Sequence, residues 1–460
     1  MNAHALAGLA ALNLWLYITG VAVLFAIRGW NRWSGLARLS GLAYLLGVAT
    51  SGVVWIFELV VGIPFGIVAI VVTGLVIGAV GVAVGLRLGR RLPPRPSRPT
   101  RLPAVSPVVA VSVALVVVYL EALFRVARLD GLYEFDAWDF WIPKAKAIYY
   151  FGGLDPQFFR EVINQSYPPL VPTLEAAAFH FMGAADVVTL HVQFWLLFVG
   201  FVAAIAGLLS PRVSPFFLWP PLLLLVVAPY VIGHATQTTA DFALDELIAA
   251  SVLLVALWLI DRAQWQLSAA TVLLAGAMST KREGYLFGAS IVVSALVVTW
   301  PTRRTAWPRL VVAGVVAVAA TIPWRVLLIT RDLGAGGPEA GGTGLLSNSD
   351  RAWPSLRLAV TTLFDYDIWL IAAPVIVAAV VAAILAGSRL LPGYAALLCV
   401  LAVAGFTWAT WAFPSLGIST NPALNPIVRL IGFVTMFMPA LVPLLLLDAW
   451  GSRGAERQSV

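Results

Sequence analysis

A chain of 460 residues that is 61% hydrophobic and only 11% charged departs far from a soluble globular domain, in which roughly 45–50% of residues are apolar and about 25% charged, so water is excluded as the solvent for most of its surface. Its net charge of +7 sits in short arginine-bearing loops between apolar runs, where arginines orient a chain in a bilayer, and this removes nucleic acid as the reason for the basic balance.

The first apolar run, about Leu6 to Ile27, lacks a basic n-region and a small-residue cleavage site. It is expected to stay as a span and not to be removed as a signal peptide. Arg28, Arg32 and Arg38 fill the next loop, and two spans, about 38 to 60 and about 63 to 86, lead to an Arg/Pro-rich linker at 87 to 103. Both arginine-rich loops are expected in the cytoplasm, which turns the amino terminus outward. A span near 104 to 124 then exits into the least apolar part of the chain, Arg125 to about Tyr167. Within it the run YEFDAWDFWIPKAKAIYY places Trp138, Trp141, Ile142, Ala145, Ile148 and Tyr149 at helical spacing, with Lys144 and Lys146 on other faces. That is the pattern of an amphipathic helix lying on a membrane.

The stretch Tyr167 to Gly183 (YPPLVPTLEAAAFHFMG) is short and carries three prolines near its start. Counting it as a span would invert every later arginine loop, so a helix at the outer interface, or one dipping in and back, is expected. Spans follow near 186–209, 215–233, 245–261, 266–280, 284–300, 308–329, 367–386, 393–412 and 427–447. Arg212, Arg262, Arg303, Arg304, Arg309, Arg389, Arg453 and Arg457 then all fall in cytoplasmic loops.

The sequence therefore predicts an all-α fold: a polytopic transmembrane helix bundle of about 13 spans with an external loop, 125–185, carrying amphipathic juxtamembrane helices. It divides into a three-span region with its linker (1–103), a module holding the polar motifs (104–330), and a part with a Gly-rich external segment and the last three spans (331–460). The single cysteine, Cys399, leaves no partner for an intrachain disulfide.

Ionisable groups at membrane depth are costly and usually line a cavity or pair with one another. Four groups of them fall on the predicted outer face. Asp136 and Asp139 lie in FDAWD, where a turn and a helix cap are the plainer roles. Asp241, Asp245 and Glu246 lie in TTADFALDE, Asp241 at the turn itself and the other two opening the next helix, where carboxylates also suit the helix dipole. Lys281, Arg282 and Glu283 occupy an outward turn, and two cations there suit phosphate oxygens. Arg325 and Arg429 stand near the outer ends of spans, where snorkelling is the alternative. His180, His191 and His234 match no zinc spacing; a divalent ion on Asp136, Asp241 and His234 stays open without a signature. No Walker loop or Rossmann fingerprint is present.

In order, FDAWD, the YPPL helix ending in FMG, TTADF and STKREG, between about 125 and 330, resemble the multi-spanning GT-C glycosyltransferases, the superfamily of dolichyl-phosphate-mannose protein mannosyltransferases and bacterial aminoarabinose transferases (glycosyltransferase family 39-like). The resemblance implies inverting transfer of a sugar from a polyprenyl-phosphate donor to a glycan, lipid or protein acceptor, at the extracytoplasmic side of a plasma (inner) membrane. It implies Asp136 as general base or metal-side carboxylate, Asp241 as a second active-site acid, and Lys281 and Arg282 as contacts to the donor phosphate. Where the family commonly has an Asp-Glu pair, this chain has Asp136-Ala137 with Asp139 further on, so the choice between the aspartates stays open.

The chemistry suits the residues independently, since a carboxylate assists loss of the acceptor proton and Lys281, Arg282 or Arg429 neutralise the leaving phosphate. Lys144, Tyr167 and Glu283 complete the expected substrate-binding set. A transporter or flippase of lipid-linked sugars is the competing expectation, for which internal repeats and midplane charges would be the signature.

Overall fold

The computed structural model describes residues 2–93, 106–300, 304–333, 349–412 and 426–458. The Arg/Pro linker beyond 93 and most of the Gly-rich segment (334–348) fall outside them. Regular structure among the described residues is helical throughout. It begins with α1 (Ala3–Ile27), α2 (Trp33–Arg38), α3 (Ser40–Val60), α4 (Ile67–Arg87) and α5 (Pro107–Ala127). A π-helical turn, Ala137–Trp141, opens α6 (Ile142–Phe151), and α7 (Phe158–Glu161), α8 (Leu170–Met182) and α9 (Val187–Leu209) follow. Next come α10 (Pro215–Val226), α11 (Pro229–His234), α12 (Ala240–Asp261), α13 (Gln264–Met278), α14 (Glu283–Thr299), α15 (Trp307–Ala319) and α16 (Ile322–Thr330). The last are α17 (Ala352–Leu363), α18 (Tyr366–Trp369), α19 (Ala372–Leu385), α20 (Leu390–Ala412), α21 (Pro426–Met436) and α22 (Met438–Gln458).

Among the described residues, seven helices (α1, α3, α4, α5, α9, α12 and α20) are long and apolar enough to cross a membrane, and α15 with α16, bent by 41° at their break, make an eighth if taken as one span. The remaining apolar stretches are shorter or interrupted, for reasons their sequences carry. Pro220 and Pro221 lie inside α10 and Pro229 opens α11, and each proline removes a backbone donor. Leu370, at φ 53°, separates α18 from α19.

Helix α12 runs through the centre: every side chain from Ala240 to Leu259 is buried. The outer helices instead present valines outward, with Val68 73%, Val117 59% and Val315 61% exposed. Continuous apolar faces of this kind suit hydrocarbon and not water; the bundle is that of a membrane protein. Two features lock its amino-terminal part. Backbones of α1 and α3 touch, because a Cβ on Gly20 would stand 1.7 Å from Ala43 O and one on Gly47 1.9 Å from Leu16 O, the close approach small residues permit in membranes. A buried polar clasp joins α1, α3 and α9: Tyr44 Oη donates to Asn13 Oδ1 at 2.5 Å, and Gln193 Nε2 donates to Tyr44 Oη and Asn13 Oδ1, both at 3.0 Å.

Three expectations are corrected. Helix α8 does not present an open face as a helix resting on a membrane surface would; Leu170 to Phe179 are buried throughout, packed against α1, α3 and α6. In helix α6 the expected polar face is absent at Lys144, which is completely buried, while Lys146 is half-buried. The preceding π turn, in which Ile142 N–H donates to Ala137 O, adds a residue per turn and so rotates the side chains of α6 by roughly 100° from the α pattern. Helix α12 begins at Ala240, placing Asp241 in its first turn and Asp245 and Glu246 in its second, buried.

Candidate active site

Three elements meet the loop at residues 164–170 at one end of the bundle. The Lys144 ammonium donates to Asn164 O at 2.5 Å, Trp324 Nε1 donates to Ser166 O at 3.3 Å, and Leu170 N–H donates to Ser279 O at 3.0 Å. These bonds fasten α6, α16 and the end of α13 to the same short loop. They also fix Tyr167, whose ring stacks on Trp141 at 5.6 Å with 8° between planes and lies 5.9 Å from Phe140.

Three cations face that ring: Lys281 at 5.5 Å, Arg282 at 5.8 Å and Lys144 at 6.0 Å. An aromatic face attracts a cation most when water is displaced, and all three sit in buried or half-buried surroundings. Burial, with Arg282 nearby adding to it, brings the Lys144 ammonium down to about 7. Burial pushes the Tyr167 hydroxyl up to about 12 against the pull of Lys281. Arg282 is lowered from its ordinary value chiefly by burial, with Arg325 as a further cause.

Lys281 is held between two carboxylates, donating to Asp241 Oδ1 at 2.7 Å and standing 3.3 Å from Glu283 Oε1. Its charge is therefore matched by Asp241 and Glu283 before any ligand arrives, which differs from the expectation that it clamps a phosphate with Arg282. Arg282 and Arg325 stand at the same end as further cations able to face an anion. Arg325 Nε donates to Tyr285 Oη at 3.2 Å, and Tyr285 Oη donates to Thr321 Oγ1 at 2.7 Å.

The FDAWD segment reaches the same end. Tyr133 hydrogen-bonds Gln237, just before α12, and burial pushes its hydroxyl up to about 12. Asp136 stands half-buried at the head of the π turn and makes no capping bond to it. Asp139 does not cap either; its Oδ2 is buried without a hydrogen-bond partner, as are Glu283 Oε2 and both oxygens of Glu246. Buried polar atoms are nearly always satisfied, so the orphan oxygens of Asp139 and Glu283, on stretches joined through Trp141, Tyr167 and Lys281, fit a site for a polar ligand.

The chain matches no family model, no curated protein and no solved structure. Its site stands on geometry alone.

Of the residues expected there, Lys144, Tyr167, Asp241, Lys281, Arg282 and Glu283 come together, and Asp136 and Asp139 lie on the stretch that Tyr133 and Trp141 tie to them. Arg429 belongs to the first turn of α21, and its side chain is outside the described residues. Lys144 lies beneath the aromatic rings and not on an open surface. Among the described residues no three of His, Cys, Asp and Glu gather as metal ligands; the His234 ring instead uses Nδ1 on Tyr230 O at 2.8 Å and stacks on Tyr230. Sequence patterns did not single out Gln237, Tyr285, Thr321 or the wholly buried Glu175. Tyr285, four residues beyond Lys281, was open to an i, i+4 argument; Gln237 and Thr321 carried no signal, since polar residues beside apolar runs are common.

Proposed function

We propose that the chain is a membrane glycosyltransferase of the inverting kind, moving a sugar from a polyprenyl-phosphate donor to an acceptor hydroxyl on the extracytoplasmic side. The observation that carries this is the concentration at one bundle end of orphan carboxylate oxygens (Asp139, Glu283), half-buried cations (Arg282, Arg325) and a stacked aromatic wall (Trp141, Tyr167). In the full topology of this reading, about 13 segments cross, the shorter helices included, and that end faces outward from an inner membrane.

The acceptor oxygen attacks the anomeric carbon from the face opposite the phosphate. The carbon–oxygen bond to the phosphate breaks, the acceptor proton passes to Asp136 or, in its place, Asp139, and the lipid phosphate leaves with its charge met by Arg282, Arg325 and Arg429. Asp241 holds Lys281 in position beside Tyr167, and the Trp141 and Tyr167 faces suit a sugar ring. No reaction step needs a metal; a divalent ion at Asp136 is decided by chelation of the same assay.

Membranes containing the full chain, given radiolabelled polyprenyl-phosphate sugar, test this. Asn in place of Asp136 or Asp139 is expected to lower transfer by roughly 10²- to 10⁴-fold for whichever aspartate is the base. Full transfer by Asp136→Asn, Asp139→Asn and Asp241→Asn, each at normal abundance, refutes the catalytic assignment. A transporter of lipid-linked sugars draws support from Glu175 and Glu246, interior carboxylates with both oxygens unpartnered. Flux into proteoliposomes without any transfer product selects it.

A further inference from the structure

The opposite end of the bundle carries a second polar assembly. The Arg28 guanidinium lies 4.9 Å over the ring of Trp265, near the start of α13, whereas Lys281 follows the other end of that 15-residue helix, about 22 Å away at 1.5 Å per residue. Arg28, Arg32, Arg38 and Arg90, with Asn31 and Ser34, line a cleft of about 600 Å³ there, and its lining contains no carboxylate.

Loops rich in arginine are what orientation in a membrane requires. Orientation does not require the arginines to converge. In this cleft Arg38 Nε and Arg90 Nε are buried without an acceptor, and none of the four arginines has a carboxylate within ion-pair distance among the described residues. The acceptors they do find are neutral backbone carbonyls: Arg28 Nη1 donates to Gly29 O at 3.2 Å and Arg90 Nη2 to Ile27 O at 3.3 Å. Burial, and behind it the charges of Arg38 and Arg90, lowers Arg28 from its ordinary value. The backbone supports the arrangement. Gly29 ends α1 at φ +63°, and a Cβ there would press to 3.1 Å on the Arg90 side chain, so glycine lets Arg90 fold over the turn toward Arg28.

We propose that this cleft binds a phosphate group. Guanidinium forks match phosphate oxygens in pairs, and an anion offers acceptors to the orphan nitrogens while cancelling the mutual repulsion. The phosphate belongs to an acidic lipid headgroup at the membrane surface or to a soluble phosphate compound. The inference is independent of sugar transfer, because the cleft and the candidate active site lie at opposite ends of α13.

Full-length protein purified in neutral detergent tests it in two arms. The first measures thermal unfolding with inorganic phosphate against chloride at equal ionic strength. The second measures retention of phosphatidylglycerol against phosphatidylcholine by native mass spectrometry. Binding in either arm is expected to weaken by about tenfold or more in Arg38→Gln and Arg90→Gln, since a bond to a charged group is lost, and to be unchanged in the exposed Arg309→Gln. A response to phosphate alone assigns a soluble ligand, and one to phosphatidylglycerol alone assigns a headgroup. Should the neutral variants not fold, Arg38→Lys and Arg90→Lys keep the charge, lose the fork and are expected to bind more weakly. No response in either arm, or variants that bind like the parent, overturns the proposal and leaves the arginines as orienting charges only.

Discussion

At the scale of single residues, Lys144 shows how folding works against a charge and still keeps it. Its ammonium is completely buried and brought down to about 7 from an ordinary 10.5, while Asn164 O and three aromatic rings hold it. Below about pH 7 the group is protonated both folded and unfolded, so the full burial penalty is present. Between about 7 and 10.5 the unfolded chain keeps a proton that the folded chain has shed, and stability rises with pH. The unfolding temperature in detergent is accordingly expected to climb from pH 7 to pH 9.5, and the climb to flatten in Lys144→Met. An equal climb in that variant would assign it to other groups. Helical spacing could not foresee this burial, because the π turn before α6 leaves no mark in hydrophobic periodicity. The acids and cations of the motifs, by contrast, were visible as charges among apolar neighbours.

Among the elements, α1, α3 and α9 illustrate how membrane helices are held without a hydrophobic drive between them. The clasp of Asn13, Tyr44 and Gln193 satisfies groups that have no water to turn to. Gln193→Leu is expected to cost about 1–3 kcal/mol, because Asn13 and Tyr44 lose partners while staying buried. Adding Asn13→Leu should then cost less than the two single changes summed, a departure from additivity that thermal unfolding can measure. Strict additivity would show that the clasp carries no coupling. Helix existence was legible from apolar runs, but the break before Pro229 was not read, and 215–233 was expected as one span where the structure has two helices. The interior position of α8 was not legible either, since a short apolar helix reads alike whether it lies against lipid or against protein.

For the whole molecule, charge is divided between the ends of the bundle: Asp241 and Lys281 at one, Arg28, Arg38, Arg90 and the Arg212–Asp261 ion pair at the other. With Cys399→Ser as background, Asp155→Cys is expected to react with an impermeant thiol reagent from outside intact cells, and Ser97→Cys and Ser388→Cys only after the membrane is opened. Reaction of Asp155→Cys from the cytoplasmic side alone would invert the proposed topology and remove the external site. Composition was enough to determine a helical membrane protein, because hydrocarbon admits few other backbones, and charge placement could be read loop by loop because each loop's charge is a local property. Only the tertiary structure decided that Lys281 is shared by Asp241 and Glu283, that Lys144 is interior, and that four arginines close around one cleft. Those are contacts between segments distant in the chain, and no pattern within a single segment encodes which neighbour will face it.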